Sequence, residues 1–176
     1  MKRKLFIIVL LLILVTGCSK KITVKEAAST YLNNYINLDE TVLLQLNNQA
    51  NRYYKDEIIK NKYIDLLKKQ YSNLEYKIIN EKYDGEFAYA TVDIKVFDLY
   101  EAQKRAVENI ESFLLEDGTY DEIEFTLYKL DLMLETNKKI NSTITIKLLR
   151  NDDNWEVLQL SNENLEKLHG IYNYEE

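Results

Sequence analysis

Proline is absent from this 176-residue chain, and only four glycines, one cysteine and one histidine occur. Such a composition excludes a long flexible linker or a repetitive stalk. One cysteine leaves no intramolecular disulfide. One histidine, His169, excludes metal sites that need two imidazoles. The glycines form no phosphate-cradling loop and no Gly-x-Ser-x-Gly elbow, so no cofactor is expected. Positive charge is also short: 23 Lys and Arg face 29 Asp and Glu, a net charge of −6. An acidic chain repels phosphate backbones, which makes nucleic acid an unexpected partner.

The strongest positive signal lies at the start. Residues 5–15 are an unbroken run of eleven apolar side chains behind Lys2, Arg3 and Lys4. A spanning helix needs about 20 such residues. A basic start, an apolar core of about 7–15 residues and small residues at the cut instead describe a cleaved export signal. Val15, Thr16, Gly17 and Cys18 then follow the order apolar, small, small, Cys. In this box the N-terminus resembles bacterial lipoprotein precursors. The resemblance implies diacylglyceryl transfer to the Cys18 sulfur, cleavage between Gly17 and Cys18, and a lipid bilayer bound through acylated Cys18 on the extracytoplasmic face. The chain divides accordingly into a signal peptide (1–17), a lipidated start and short tether (18–22) and a single domain (23–176). Cleavage leaves 159 residues, and with Lys2, Arg3 and Lys4 gone the net charge is −9. That length suits one domain with its own core. On so short a tether Lys20, Lys21 and Lys25 would lie close to anionic headgroups, each contributing up to about 1 kcal/mol. The Lys-, Asn-, Ile- and Tyr-heavy composition matches an AT-rich genome, which with the signal points to a Gram-positive bacterium.

Apolar spacing predicts the elements. Thr23-Val24-Lys25-Glu26 has capping-box spacing, and Val24, Ala27, Ala28, Tyr31, Leu32 and Tyr35 mark one buried helical face. A second helix starts at Asp39 with Val42, Leu43 and Leu46 inward. A third covers about 54–70 with Ile58, Ile59, Tyr63, Leu66 and Leu67 inward. Alternation then predicts strands: Leu74, Tyr76 and Ile78, followed after Asp84-Gly85 by Ala88, Ala90, Val92, Ile94 and Val96. A two-residue Asp-Gly loop would mix apolar and charged faces. A register one residue over pairs Ile78 with Val92, Tyr76 with Ile94, Glu75 with Lys95 and Lys77 with Asp93, so a longer loop is expected. Residues 99–115 read as a helix with Ala106, Val107, Ile110, Phe113 and Leu114 on one side and Gly118 as its stop. Thr119 has capping-box spacing for a helix through Ile123, Leu127, Leu130 and Leu134, although Leu130, Leu132 and Leu134 also fit a strand. A third strand at about 140–148, a turn at 151–154, a fourth strand at 155–160 and a short helix capped by Ser161 complete the chain.

The expected fold class is α+β: N-terminal helices on a curved antiparallel sheet of about four strands, with a two-helix insertion between the hairpins. This order, and the stretch Asp152-Asp153-Asn154-Trp155-Glu156-Val157, resemble exported lipoproteins of the nuclear-transport-factor-two-like, or cystatin-like, superfamily over roughly residues 23–160. The resemblance implies a cone-shaped sheet around the first helix, and in some enzymes of that group an Asp or His inside the cone.

Few residues then suggest chemistry. Asp93 is the best-placed strand carboxylate, but the preferred register puts it on the outer face opposite Lys77. His169, beside Gly170, reads as a partner of helix-terminal carbonyls. Asp152-Asp153 lacks calcium-loop spacing and reads as a solvated turn. Fourteen tyrosines suit binding surfaces, since Tyr joins an apolar ring to a polar tip. Phe87, Tyr89 and Phe97 form one candidate aromatic surface, with packing against the 99–136 helices as its plainer explanation. Tyr31, Tyr35 and Trp155 form a candidate ligand pocket. The expected function is a non-catalytic, membrane-anchored binding or interaction module for an unknown protein, peptide or glycan. Alternatives are a small-molecule enzyme with a buried carboxylate and a self-protection lipoprotein against a toxin or phage.

Overall fold

The computed structural model describes residues 21–174; the expected export signal, with Gly17 and Cys18, lies outside them. At Thr23 the predicted capping box forms. Its hydroxyl accepts the Glu26 N–H at 3.1 Å, and Glu26 accepts the Thr23 N–H at 3.0 Å. Helix α1 (Val24–Ile36) follows and buries Val24, Ala27, Ala28, Leu32 and Tyr35. Asp39 caps α2 (Glu40–Tyr53), and Asp56 caps α3 (Glu57–Ser72). The Asp56 carboxylate accepts from both Ile58 and Ile59 N–H, which fixes the start of α3 at Glu57 rather than near residue 54. Ile58 therefore faces solvent instead of the core, and Ile59 is buried.

The order continues β1 (Glu75–Asp84), β2 (Phe87–Phe97), α4 (Leu99–Glu108), a 3-10 turn (Ile110–Phe113), α5 (Glu122–Glu135), β3 (Lys139–Asn151), β4 (Asn154–Val157) and α6 (Asn162–His169). The fold is α+β, with six α-helices among the described residues and one open antiparallel sheet ordered β1-β2-β3-β4. The inserted helices leave the sheet continuous, because β2 and β3 pair without a break from Phe87 opposite Leu149 to Phe97 opposite Lys139. Alternation sends Ala88, Ala90, Val92, Ile94 and Val96 to one face with Ile144, Ile146 and Leu148. That face packs on α1 and α6. Burying each of the larger aliphatic side chains is worth about 1.5–3 kcal/mol.

The register pairs Ile78 with Val92, Tyr76 with Ile94, Glu75 with Lys95 and Lys77 with Asp93, as alternation and charge predict. The loop differs from expectation. Asp84 pairs with Phe87, so Gly85 and Glu86 make a two-residue turn, and the offset is absorbed by a bulge at Ile79. A bulge places two residues opposite one and bends its strand, leaving Ile79 exposed. Gly85, at φ +59°, holds the first loop position, where type II′ turns favour glycine.

Several boundaries shift between 99 and 160. The helix expected over 99–115 ends at Glu108, where the Asn109 N–H turns back to the Ala106 and Val107 carbonyls. Val107 and Leu114 are consequently exposed rather than inward. Gly118 ends no helix; it lies in a turn whose sides are bridged at Leu114 and Tyr120. Thr119 does not cap α5, since its N–H and hydroxyl both donate to Asp117. Asp121 accepts from Ile123 and Glu124 N–H instead. The ambiguous segment is helical over Glu122–Glu135 and buries Phe125, Leu130 and Met133. Strand β4 stops at Val157, after which Leu160 turns into the core.

A second cluster, formed by Ile59, Leu66, Phe97, Leu99, Ala102, Leu130 and Met133, joins α3 to the inserted helices. Gln70 stands between the two clusters. Its Nε2 donates to the Phe97 carbonyl at 3.1 Å, and its Oε1 accepts the Phe97 N–H at 3.0 Å. Gly170, the C-terminal stop of α6 at φ +72°, presses on this pair: a Cβ there would lie 2.0 Å from Phe97 O and 2.5 Å from Gln70 Nε2. Gly118, at φ +84°, has nothing within 4 Å of such an atom. Left-handed backbone alone costs a non-glycine residue about 1–2 kcal/mol. Gly118→Ala is therefore expected to lose about that much in urea unfolding. Gly170→Ala should lose on the order of 3 kcal/mol or more; equal losses would show that the Gly170 contact carries no weight.

Candidate functional site

Helix α2 presents Gln45, Asn48, Gln49 and Arg52 at positions i, i+3, i+4 and i+7, one stripe of its surface. These side chains form one wall of a groove of about 370 Å³, completed by Tyr53, Tyr35, Tyr71, Leu165, His169 and Gln159. A second depression of about 390 Å³ shares Tyr35, Gln45, Gln159 and Leu165 and adds Tyr31, Val157, Leu158 and Leu160. The two adjoin through these shared residues, and together they are called the groove between α2 and the segment running from β4 into α6. None of its lining residues is a carboxylate, and Arg52 is its one formal charge.

The floor is a chain of hydrogen-bonding rings. Tyr31 and Tyr35 hydroxyls lie 3.1 Å apart, Tyr35 meets Tyr71 edge-on at 4.9 Å between centroids, and the Tyr71 hydroxyl is 2.8 Å from His169 Nε2. Burial raises the Tyr31, Tyr35 and Tyr71 phenols above their ordinary range. His169 lines both the groove and a small pocket of about 60 Å³ shared with Tyr54, Leu67, Leu130 and Met133. Desolvation brings its imidazole down to about 4. All four rings are thus neutral near pH 7 and able both to donate and to accept hydrogen bonds. Position beside a helix end suggested that His169 serves terminal carbonyls. Its ring Nε2 instead meets a phenol from α3, 98 positions earlier in the chain.

Of the predicted pocket, Tyr31 and Tyr35 line this groove but Trp155 does not. Trp155 sits at the start of the short β4, with its ring 5.7 Å from Tyr83 across the core face. The groove opens farther along, where the chain leaves the sheet after Val157. The aromatic trio on β2 is divided as well. Phe97 is buried among α3, α4 and α5, whereas Phe87 and Tyr89 are half-buried at the other end of the strand beneath Lys147, whose Nζ stands 4.0 Å from the Phe87 ring centre.

Asp93 lies exposed on the outer sheet face opposite Lys77 and accepts from Thr143 Oγ1 at 2.9 Å. The buried carboxylate among the described residues is Asp98, which no sequence pattern singled out. It accepts from Glu101 N–H at 3.1 Å as the cap of α4 and pairs with Lys138 at 2.9 Å. The 151–154 turn holds the residues just before α1: Lys21 pairs with Asp153 at 3.0 Å, and Ile22 N–H donates to Asn154 at 3.1 Å. Among the described residues no three or more His, Cys, Asp or Glu side chains group to hold a metal ion, and no helix is long and apolar enough to cross a membrane.

Comparison with protein-family models, curated proteins and solved structures returns no match to this chain. The site therefore rests on its own geometry: a concave, amide-lined surface with neutral rings below. Such a surface satisfies hydroxyl and amide groups without requiring charge on the ligand.

Because folding lowers the His169 value from 6.5 to about 4, the unfolded chain takes up this proton first as pH falls. Stability is full above about 6.5, declines toward 4 and levels off below. A glutamine amide in place of the imidazole could still meet the Tyr71 hydroxyl without titrating. His169→Gln is therefore expected to show a flatter fall in melting temperature between pH 6.5 and 4 than the parent chain; parallel curves would refute the desolvated imidazole.

Proposed function

We propose that the protein is a membrane-anchored extracytoplasmic lipoprotein that acts as a non-catalytic binding module, and that its groove takes a neutral segment rich in hydroxyls or amides from a peptide or glycan. The observation that carries this reading is the groove's lining. Four amide side chains and one Arg stand above a floor of neutral phenols and an imidazole, with no carboxylate. Amides and phenols form directional hydrogen bonds in both senses, and tyrosine rings add apolar area at low entropic cost.

The anchor fits the same account. Cys18 precedes Lys21 closely in the chain, and Lys21 and Ile22 are tied to the β3–β4 turn. Tyr31 and Tyr35 stand seven and eleven residues beyond Val24 along α1, a rise of about 10 and 16 Å at 1.5 Å per residue. Lipid at Cys18 would thus leave the groove open to partners near the membrane. Confinement to a surface raises their effective concentration.

Labelled palmitate is expected to enter the protein, and Cys18→Ser should abolish labelling and membrane retention together. Failure of either removes the anchor from the proposal. For the groove, a photocrosslinking amino acid placed at Gln45 in intact cells should capture a peptide or glycan partner that the same probe at Lys77, on the outer sheet face, does not. The same adducts from both positions, or none from Gln45, would count against the groove.

A further inference from the structure

The chain's excess negative charge is confined to one place. Seven carboxylates and no lysine or arginine lie in residues 106–128, against 29 acidic and 23 basic residues overall. Outside this segment the two signs nearly cancel. Exposed apolar side chains collect there too. Val107, Leu114, Leu115, Tyr120 and Ile123 are 55, 56, 49, 39 and 54% exposed, and they are five of the twelve large exposed hydrophobic residues among those described. Glu108, Glu111, Glu116, Asp117, Glu122 and Glu124 are exposed among them.

The segment is held in shape. Leu115 N–H donates to Thr119 O at 2.8 Å, Gly118 N–H to Leu115 O at 3.0 Å and Asp121 N–H to Phe113 O at 2.9 Å. Phe113 meets Phe125 edge-on and Tyr128 at a tilt, and Tyr120 meets Phe125 edge-on, with centroids 5.1–5.7 Å apart. Phe125 is buried beneath the tip with Phe113 and Tyr128 half-buried around it, so Leu114, Leu115 and Ile123 are displayed outward on a formed support. Exposed apolar groups gathered together and rimmed by charge mark interaction surfaces.

We propose that this end of the α4–α5 pair is a docking surface for a cationic amphipathic helix of another protein, one with an apolar stripe flanked by Lys or Arg. Charge decides among the occupants. An anionic bilayer, or the same tip of a second copy of this chain, brings negative charge to a negative rim. A basic helix brings the complementary sign, with anchors at i, i+3, i+4 and i+7 for the apolar side chains. The surface is separate from the groove, and the inference does not rest on the ligand assigned there.

The test uses the full chain and two synthetic helical peptides with the same leucine stripe, one flanked by lysines and the other by glutamates. Fluorescence anisotropy should show the Leu/Lys peptide binding and the Leu/Glu peptide not binding. Leu114→Ser combined with Ile123→Ser should weaken Leu/Lys binding at least tenfold. Glu111→Gln, Glu116→Gln and Glu122→Gln together should weaken it several-fold and flatten its salt dependence. All five positions are exposed, so both variants should melt like the parent, and a lowered melting temperature would call for the same substitutions singly. Equal binding by parent and variants, or binding of the Leu/Glu peptide, would overturn the proposal. So would parent-only flotation with phosphatidylglycerol vesicles, or parent-only dimerisation in sedimentation, each lost with the two serines.

Discussion

A single amide holds the two halves of this molecule in register. Strand β1 starts opposite Lys95, so β2 runs past it, and Phe97 faces no strand on that side. Gln70 reaches from α3 into the gap and supplies both the donor and the acceptor that a neighbouring strand would have provided. The pair is buried, and a buried backbone group left unpaired costs about 1–3 kcal/mol. This gives α3 one permitted height against the sheet. Asp98 N–H then bonds to the Lys138 carbonyl, and Tyr100 N–H to the Gly170 carbonyl, so the exit into the inserted helices and the end of α6 are fixed at the same point.

The groove inherits its shape from that junction. Tyr71 follows Gln70 in α3, and His169 precedes Gly170 at the end of α6. Seating Gly170 on the Gln70–Phe97 pair therefore brings the imidazole to the phenol at 2.8 Å. Lys69, on the other side of Gln70, donates to the Leu134 and Thr136 carbonyls and lies 4.6 Å from the Phe97 ring centre. Consecutive residues of one helix thus close the end of α5, complete β2 and build the groove floor. A polar floor here does not weaken the core, because its deepest groups have partners within the protein.

The first three helices and the β1–β2 register are readable in the sequence because both depend on spacing. Helical periodicity puts Leu32, Leu46 and Leu66 in the core as expected, and the four pairs of apolar and charged residues favour one alignment. The bulge was less legible, although adjacent apolar residues at Ile78 and Ile79 are the local sign that alternation breaks there. Gln70 could have been noticed as a polar side chain on the stripe of Leu66, Leu67 and Tyr71, but its partner is backbone, which carries no sequence signal. The stripe at Gln45, Asn48, Gln49 and Arg52 was visible in principle. It looks like any solvated helix face until the fold sets tyrosines opposite it. The setting of His169 is hidden for a related reason: its surroundings come from α3 and α5, and its own neighbours describe only a helix end.

Charge and hydrogen bonding are distributed so that the two proposed surfaces differ in physical character. The groove offers neutral donors and acceptors with one Arg, and such contacts change little with ionic strength. The α4–α5 tip carries the chain's excess charge in the open, where attraction between exposed groups is screened over about 8–10 Å at physiological salt. Attachment near the β3–β4 turn would leave the lysines around the chain start nearest the headgroups. The same acidic rim would be repelled from them, so electrostatics alone would turn the tip away from an anionic membrane. Raising salt would relax that orientation and weaken binding at the tip while leaving the groove's amides unaffected, which gives ionic strength opposite diagnostic value for the two proposed surfaces.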